Sequence, residues 1–439
     1  MKQEKIPITL KEKLSFGAGD FAINGMFTFI SSYLLYFYTD SVRISLGNAG
    51  IILFTGRIAD ALASLLIGGI VDRTHIGRDR CKPYIKLFGP LAAALMCLLF
   101  FMPDLSDGVK LLWGCLVYAV FSICHSVTNV PYTAMIAVIS DRESSRMELN
   151  VFKNVGANTG AFFVTFSAAA LIAYFGAVPG RGYLGTAVFY AVFFLAAILA
   201  CVSNTRERVK GENSEKISLR RSAQAVFSNK NWIVFIVIQC AGMLYMIIHN
   251  QSIVYFANYY LGNECLSTIF FSLTPIMCVL AAPCMPILVK KIGMKKIMLL
   301  GHAMVAFSLV GTWVAGKNIP LVILCAVLTS LGWSIATGII FVINAQFIDD
   351  AERKTGLRLQ GFMTSIMTFF MKMGIAAAGY IGPWLLSLGG YEAGSVLSGR
   401  ALAAVSTNYV FMPATVALVL TGVCAICEMP SSERDVTTV

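Results

Sequence analysis

Charged residues are scarce in this sequence of 439 residues. They make up 13% of the chain, whereas 57% of the residues are hydrophobic and the mean hydropathy is +0.74. A soluble domain carries about 25% charged and about 45–50% apolar residues. The charged fraction is too small for a water-exposed surface, and the hydrophobic fraction is too large for a disordered chain. The composition therefore predicts a membrane protein with the lipid bilayer as its partner.

The sequence also lacks the motifs of common catalytic and nucleotide-binding sites. It has no GxxxxGK[ST] phosphate loop, no GxSxG nucleophile elbow and no HExxH zinc motif, and its four histidines are scattered. Most of the 12 cysteines lie inside apolar runs, where cysteine behaves as a small hydrophobic residue. The sequence predicts no enzyme, no cofactor and no ATP-driven transport.

Twelve apolar runs are long enough to cross a bilayer as helices, which takes about 20 residues each. Six precede and six follow a charged stretch that contains RERVKGENSEK and SLRRS. This pattern predicts an all-α membrane protein with two six-helix bundles related by a pseudo-two-fold axis, as in duplicated transporters. The predicted domains are an N-terminal bundle at 1–203, a cytoplasmic linker at 204–231, and a C-terminal bundle with a short tail at 232–439. The predicted spans are 14–39, 47–71, 84–103, 110–139, 150–175, 183–203, 232–261, 265–289, 297–316, 320–348, 359–387 and 408–428.

The basic residues are distributed unequally between the two ends of these spans. With both termini on one side, 27 of the 34 lysines and arginines fall in segments on that side and five on the other. Cytoplasmic loops carry such an excess. We expect both termini to be cytoplasmic and the protein to lie in the plasma membrane, which is the inner membrane of a cell with two. The net charge of +11 is explained by these loops, so no nucleic-acid partner is predicted.

Four charged residues lie deep inside the predicted spans: Asp20, Arg57, Asp60 and Lys372. A charge at the middle of a bilayer costs about 2.5–3.5 kcal/mol on insertion scales, so such groups usually pair and serve transport. The formal charges of the four sum to zero, which would allow them to compensate one another. The alternative is a buried ion network that only fixes helix packing.

Each acidic residue has polar neighbours on the same helical face. Asp20 and Asn24 are four residues apart, and together they could bind neighbouring hydroxyls of a ligand. Arg57, Asp60 and Ser64 form a stripe on the second span. Asp60 could accept a proton or bind sodium, because hard cations prefer oxygen ligands. The positive charge of Arg57, one turn away, would favour the ionised form of Asp60. The alternative is that the two residues form only a local salt bridge.

Two further pairs have the same four-residue spacing. His125 and Asn129 share a face of the fourth span, and they could line a binding site or belong to the core. Thr368 and Lys372 share a face of the eleventh span, inside the apolar stretch MTSIMTFFMKMG. We expect Lys372 to contact Asp60 and so to couple the two halves of the chain.

Four segments, taken in order, resemble a known family. They are SFGAGDFAIN at 15–24, GRIADAL at 56–62 followed by GGIVDRTHIGRDRCKPYI, NVPYTAM at 129–135 with SDRESSR, and DDAERKTGLRLQGF with FFMKMG. These segments resemble the glycoside–pentoside–hexuronide:cation symporters of the major facilitator superfamily, and the similarity covers essentially the whole chain. The resemblance implies a symporter that carries a sugar, glycoside or hexuronide with a proton or sodium by alternating access. We expect it to function as a monomer.

The resemblance also implies roles for individual residues. Asp20 matches the sugar-binding aspartate of the family, and Asp60 matches the first of two carboxylates at the cation site, where sodium would bind. Lys372 matches a lysine near that site, and Thr368 matches a position that lines the substrate site. Five positions match the cytoplasmic gate: Asp72, Arg73, Arg78, Arg146 and Arg358.

The chain departs from the family pattern at several sites. Ser64 and Asn129 stand where family members carry carboxylates, so proton coupling or uncoupled facilitation becomes an alternative to sodium coupling. His125 and Thr133 replace aromatic lining residues. Lys153 is a candidate basic ligand on the fifth span, and with His125 it could suit an acidic glycoside. A carrier of lysolipids or other amphiphiles on the same fold is the remaining alternative.

Overall fold

The fold is described here from a computed structural model. It describes residues 8–73, 79, 81–103, 106–140, 143–177, 181–208, 229–355, 360–391 and 398–427. The chain divides into two compact units at about residue 213. Most of the predicted linker, 209–228, lies outside the described residues, so the linker's boundaries stay a prediction.

The described residues of the first unit form six long helices. Most of them begin and end within about four residues of the predicted spans, but the fifth begins at Glu143, seven residues before its predicted start. A π-helical turn at Phe37–Ser41 extends the first. The apolar side chains of their facing surfaces form the core, which includes Phe16, Phe29, Tyr118 and Phe194. The helices are α1 Leu10–Tyr36, α2 Leu46–Arg73, α3 Lys82–Leu99, α4 Asp107–Ile139, α5 Glu143–Phe175 and α6 Gly182–Asn204.

The second unit repeats this arrangement with more interruptions. Pro283 and Pro286 fall where the eighth predicted span breaks, because proline cannot donate a helical hydrogen bond. The twelfth span begins at Gly399, nine residues before the predicted start, and contains a π-helical turn at Thr407–Phe411. The helices are α7 Lys230–Tyr255, α8 Cys265–Ala281, α9 Met285–Ile292, α10 Met294–Ala315, α11 Ile319–Thr337, α12 Ile340–Thr355, α13 Gln360–Leu388, α14 Gly399–Ser406 and α15 Met412–Ile426.

Within the described residues, eleven helical segments are long and apolar enough to cross a membrane. Helix α1 is outside that set, although its 27 residues exceed the length that a span needs. Asp20 and Asn24 lower its hydropathy. The first span is therefore the least apolar of the twelve predicted, because it carries polar side chains at the candidate site.

The two units pack their helices in the same pattern. In the first unit, α1 packs against α5 and α6, α4 against α2 and α3, and α3 against α6. In the second unit, the corresponding helices make the matching pairs: α7 with α13 and α15, α11 with α8 and α10, and α10 with α15. This agreement between the two units supports the predicted duplication.

A sequence repeat at the ends of α1 and α7 accompanies this packing. Each helix ends at a tyrosine, Tyr36 or Tyr255, and is followed by a π-helical turn that begins at Phe37 or Phe256. The tripeptide LGN then follows at 46–48 and at 261–263. The repeat is inconspicuous in the sequence, because the two copies differ in the spacing between the tyrosine and the LGN.

The four residues 205–208 form hydrogen bonds with the ends of several helices of the first unit, and we call this segment the strap. The Arg208 guanidinium binds both carboxylate oxygens of Glu12 at 2.7 and 2.8 Å. The backbone N–H of Arg206 donates to the same carboxylate at 3.0 Å. Glu12 is 3% exposed, and hydrogen bonding to it raises the pKa of Arg208. The strap therefore carries a permanent cation to a buried carboxylate near the start of α1.

The rest of the strap bonds to α3 and α4. The Glu207 carboxylate accepts from the backbone N–H groups of Cys81 and Lys82, both at 2.9 Å, at the positive end of the α3 dipole. The Lys82 ammonium donates to the Thr205 carbonyl at 2.8 Å. The Arg208 N–H donates to the carbonyl of Val138 at 2.8 Å, near the end of α4. The strap thus bonds directly to three helices besides α6, from which it continues.

We expect Glu12→Gln to destabilise the protein by about 2 kcal/mol, because it replaces a charge-assisted bidentate contact at a buried site. The measurement is thermal unfolding in detergent. Glu148→Gln is the control, since Glu148 pairs with Lys13 at 2.5 Å but is 54% exposed in its side chain. Exposed pairs contribute about 0–1 kcal/mol. Equal melting temperatures for the two variants would contradict the role given to the strap.

Candidate functional site

The first candidate centre is the carboxylate of Asp20 in the middle of α1. Asp20 is 1% exposed. Its Oδ1 accepts from the Asn24 amide at 3.0 Å, one turn later, as the spacing predicts. Its Oδ2 lies 3.4 Å from the ammonium of Lys153 on α5. The structure therefore brings three of the predicted substrate residues together as a buried ion pair with an amide beside it.

Two glycines of α5 allow this approach to α1. A methyl group added at Gly156 would overlap the backbone carbonyl oxygen of Gly17, and one added at Gly160 would overlap that of Phe21. The backbones of α1 and α5 are therefore in direct contact. Sequence reasoning missed these residues, although their spacing, GANTG at 156–160, is the small-xxx-small pattern of closely packed membrane helices.

Helix α4 crosses α1 with a register that two hydrogen bonds define. The His125 ring Nε2 lies 3.2 Å from the carbonyl oxygen of Ile23, and the Tyr132 hydroxyl donates to the carbonyl of Phe16 at 2.7 Å. Asn129 lies between His125 and Tyr132 on this stripe of α4, so it faces α1 between Phe16 and Ile23, at the level of Asp20. The Asn129 amide is half-buried and makes no hydrogen bond to any residue in the described ranges.

His125 itself is held by protein contacts. It is 7% exposed, and its ring stacks near Phe121 and Phe27, with centroid distances of 5.6 and 6.5 Å. With its bond to the carbonyl of Ile23, these contacts favour the alternative that His125 belongs to the helix packing. Thr133 lies exposed near the end of α4. The predicted roles of both residues in substrate binding stay predictions.

The second candidate centre surrounds Asp60 on α2. Asp60 is 8% exposed, and the hydroxyl of Ser126 on α4 donates to its carboxylate. The Ser64 hydroxyl donates to the backbone carbonyl of Asp60 at 2.8 Å and lies 3.0 Å from the Ser126 hydroxyl. One carboxylate and two hydroxyls therefore form a compact set of oxygen atoms. Sequence reasoning missed Ser126, because a serine in an apolar run gives no sign of which helix it faces.

Arg57 reaches past its own helix. Its Nη2 donates to the Ser31 hydroxyl on α1 at 2.6 Å. Its guanidinium carbon lies 4.5 Å from the ring centroid of Phe27 and 5.8 Å from that of Tyr118. Cation–π contacts of this kind stabilise a desolvated guanidinium. Arg57 thus connects α2 to α1 and α4, and its predicted effect on the ionisation of Asp60 stays a prediction.

The remaining predicted residues fall into three groups. Arg146 donates from Nε to the Ser140 carbonyl at 2.8 Å, which closes the connection between α4 and α5. Thr368 donates to the Thr364 carbonyl at 2.9 Å, and Lys372 is half-buried on α13; the contact predicted for Lys372 stays a prediction. The predicted gate residues Arg78 and Arg358, and the side chains of Asp72 and Arg73, lie outside what the structure describes.

Comparison with known proteins places the chain in a family. The family described as MFS/sugar transport protein matches residues 15–427. The chain is 30% identical to the isoprimeverose transporter of Lactiplantibacillus pentosus, over 92% of this chain and 85% of that protein. It is 24% identical to the putative glycoside/cation symporter YagG of Escherichia coli, over 88% of this chain and 85% of the relative.

Solved structures resemble the fold as well. The nucleoside transporter NupG superposes with a TM-score of 0.69 at 14% identity, over 95% of this chain and 98% of that chain. The sequence resemblance and the twelve-helix fold class predicted above are thereby confirmed. The chain belongs to the sugar transport family of the major facilitator superfamily, and it is a membrane transporter rather than an enzyme.

Proposed function

We propose that this transporter carries a neutral sugar or glycoside together with one proton or one sodium ion. The observation that supports this is the presence of two separate carboxylates, Asp20 and Asp60, buried within the predicted spans of the first unit. Asp20 is surrounded by side chains that can bind hydroxyl groups, and Asp60 is surrounded by hydroxyl oxygens that can accommodate a small cation. A substrate site and a cation site are the two elements that a symporter needs.

Asp20 suits a pair of sugar hydroxyls, because a carboxylate accepts two charge-assisted hydrogen bonds. The Asn24 and Asn129 amides can both donate and accept, and the Lys153 ammonium donates only. Since the Asp20–Lys153 pair is formally neutral, it favours an uncharged sugar over a hexuronide. The relative named isoprimeverose transporter supports a sugar or glycoside as substrate.

Asp60 suits the coupling ion, because one carboxylate balances one monovalent cation. Its neighbours include the hydroxyl oxygens of Ser64 and Ser126, which are acceptable ligands for sodium and hydrogen-bonding partners for a protonated carboxyl. The relative named glycoside/cation symporter supports coupling to a cation. The positive-inside distribution supports a plasma-membrane location with both termini in the cytoplasm.

Transport in proteoliposomes tests this proposal. We expect counterflow of isoprimeverose or another neutral glycoside, and accumulation driven by either an inward sodium gradient or an inward proton gradient. A glucuronide is the matched charged probe and is expected to compete poorly. Saturable uptake of the glucuronide alone would contradict the neutral substrate, and uptake that never exceeds equilibrium under either gradient would indicate a facilitator. An absence of flux across a broad glycoside panel would contradict the function itself.

A further inference from the structure

We propose that Gly156 and Gly160 of α5 are positioning residues for sugar recognition. Their contacts with the α1 backbone, which we call the glycine seam, set the distance between the Lys153 ammonium and the Asp20 carboxylate and thereby the affinity for the sugar. This inference rests on the proposed role of Asp20 in substrate binding.

The seam fixes the register of the two helices. Gly156 contacts the backbone of Gly17, and Gly160 contacts that of Phe21, so the contacts run in the same order along both helices. Asp20 therefore lies between the two contacts on α1, whereas Lys153 lies about one turn before the first contact on α5. Any change in the separation of these helices changes the Asp20–Lys153 distance directly.

The ion pair leaves little room for such a change. Its 3.4 Å separation is already longer than the 2.7–2.9 Å typical of charge-assisted N–H···O contacts. A methyl group at Gly156 would overlap the carbonyl oxygen of Gly17, so α5 would have to move away from α1. The carboxylate of Asp20 would then keep Asn24 but lose its cation, and the sugar would meet a differently arranged site.

A second glycine contact in the chain provides a matched control. Gly332 of α11 and Gly301 of α10 pack backbone to backbone in the second unit, and a Cβ at Gly332 would lie 2.8 Å from the Gly301 carbonyl oxygen. The other close neighbours of that Cβ position belong to Met304 and Val305, which carry no charge. Gly332→Ala therefore tests helix crowding separately from the Asp20–Lys153 distance.

The experiment measures the KM for isoprimeverose uptake in proteoliposomes. We expect G156A to raise the KM by about tenfold, which corresponds to about 1.4 kcal/mol, with a maximal rate within about twofold of the wild type. K153Q should raise the KM similarly, and the double variant should show no further increase. K153R should restore part of the affinity in the G156A background, because the guanidinium reaches farther than the ammonium. G332A should leave the KM unchanged.

Several outcomes would overturn the inference. A KM unchanged by G156A, or effects of G156A and K153Q that multiply in the double variant, would show that the seam does not act through Lys153. If G156A fails to fold, G160A replaces it in the same comparison with K153Q, because a methyl group at Gly160 would overlap the carbonyl oxygen of Phe21. If the wild type takes up no sugar, the proposed function fails separately. In that case, the melting temperatures of D20N, K153Q and the double variant give the coupling between the two residues. We expect this coupling to vanish in the G156A background, and a coupling that persists there would contradict the inference.

Discussion

Replacement of Asp60 with Asn is expected to abolish accumulation of sugar against a gradient while counterflow continues. The substitution preserves the shape of the side chain and the hydrogen bond from Ser126, but it removes the negative charge of Asp60. Without that charge, neither a proton nor sodium can bind with the stoichiometry that coupling needs. The measurement compares uptake driven by an ion gradient with counterflow in the same vesicles, and accumulation should fall to the equilibrium level.

Two variants serve as controls for the Asp60 substitution. Ser64→Ala removes a hydroxyl of the same cluster, and accumulation is expected to persist. The cation concentration that gives half-maximal uptake should rise by about tenfold, which is the effect of losing one hydrogen bond of about 1.4 kcal/mol. Asp350→Asn removes a half-buried carboxylate of α12 that pairs with Lys354, and it should leave coupling intact. Concentrative uptake by D60N at the wild-type level would exclude Asp60 as the coupling residue.

Replacement of Asp20 with Asn is expected to raise the KM for sugar by about 100-fold or more. The change removes the two charge-assisted hydrogen bonds proposed between Asp20 and the sugar hydroxyls, each contributing about 1.5–3 kcal/mol. It also leaves the Lys153 ammonium without its carboxylate. Counterflow and direct sugar binding in detergent both measure this effect. The substitution should not alter cation binding at Asp60, so cation-induced thermal stabilisation of D20N serves as an internal control.

A matched amide on α5 tests whether the effect is specific to the site. Asn158 donates to the carbonyl of Asn154 within its own helix. Asn158→Ser is expected to leave the KM within about twofold, whereas Asn24→Ser should raise it by about tenfold because Asn24 orients the Asp20 carboxylate. A saturable KM of D20N equal to that of the wild type would refute the assignment of the sugar site.

Helix positions and the presence of charges within them could be predicted from the sequence. The apolar runs place the ends of α2, α3, α4 and α6 within about four residues of those observed, since the length of a span is set by the bilayer. Helix α5 begins seven residues before its predicted start, because its first two turns carry charged residues. The early start of the twelfth span was missed because GRALAAVS is too polar to register as membrane-spanning. The broken eighth span follows from its prolines, which hydropathy alone does not weigh.

The partners of each charge could be predicted only where they lie on the same helix. Asp20 and Asn24 are bonded as their spacing indicates. Arg57 shares a stripe with Asp60, but its long side chain extends to Ser31 and the ring of Phe27 on α1. Ser126 reaches Asp60 because α4 packs against α2. Periodicity defines the face of a helix, whereas the neighbouring helix and the length of the side chain determine which atoms meet.

The strap has a practical consequence for dividing this protein into two co-expressed fragments. A fragment that stops at Asn204, where α6 ends, would lose the guanidinium that binds Glu12 and the carboxylate that binds the start of α3. A first fragment that continues through Arg208 would keep both. The natural place to cut the gene is therefore after codon 208, and complementation between two separately encoded halves should depend on those four codons.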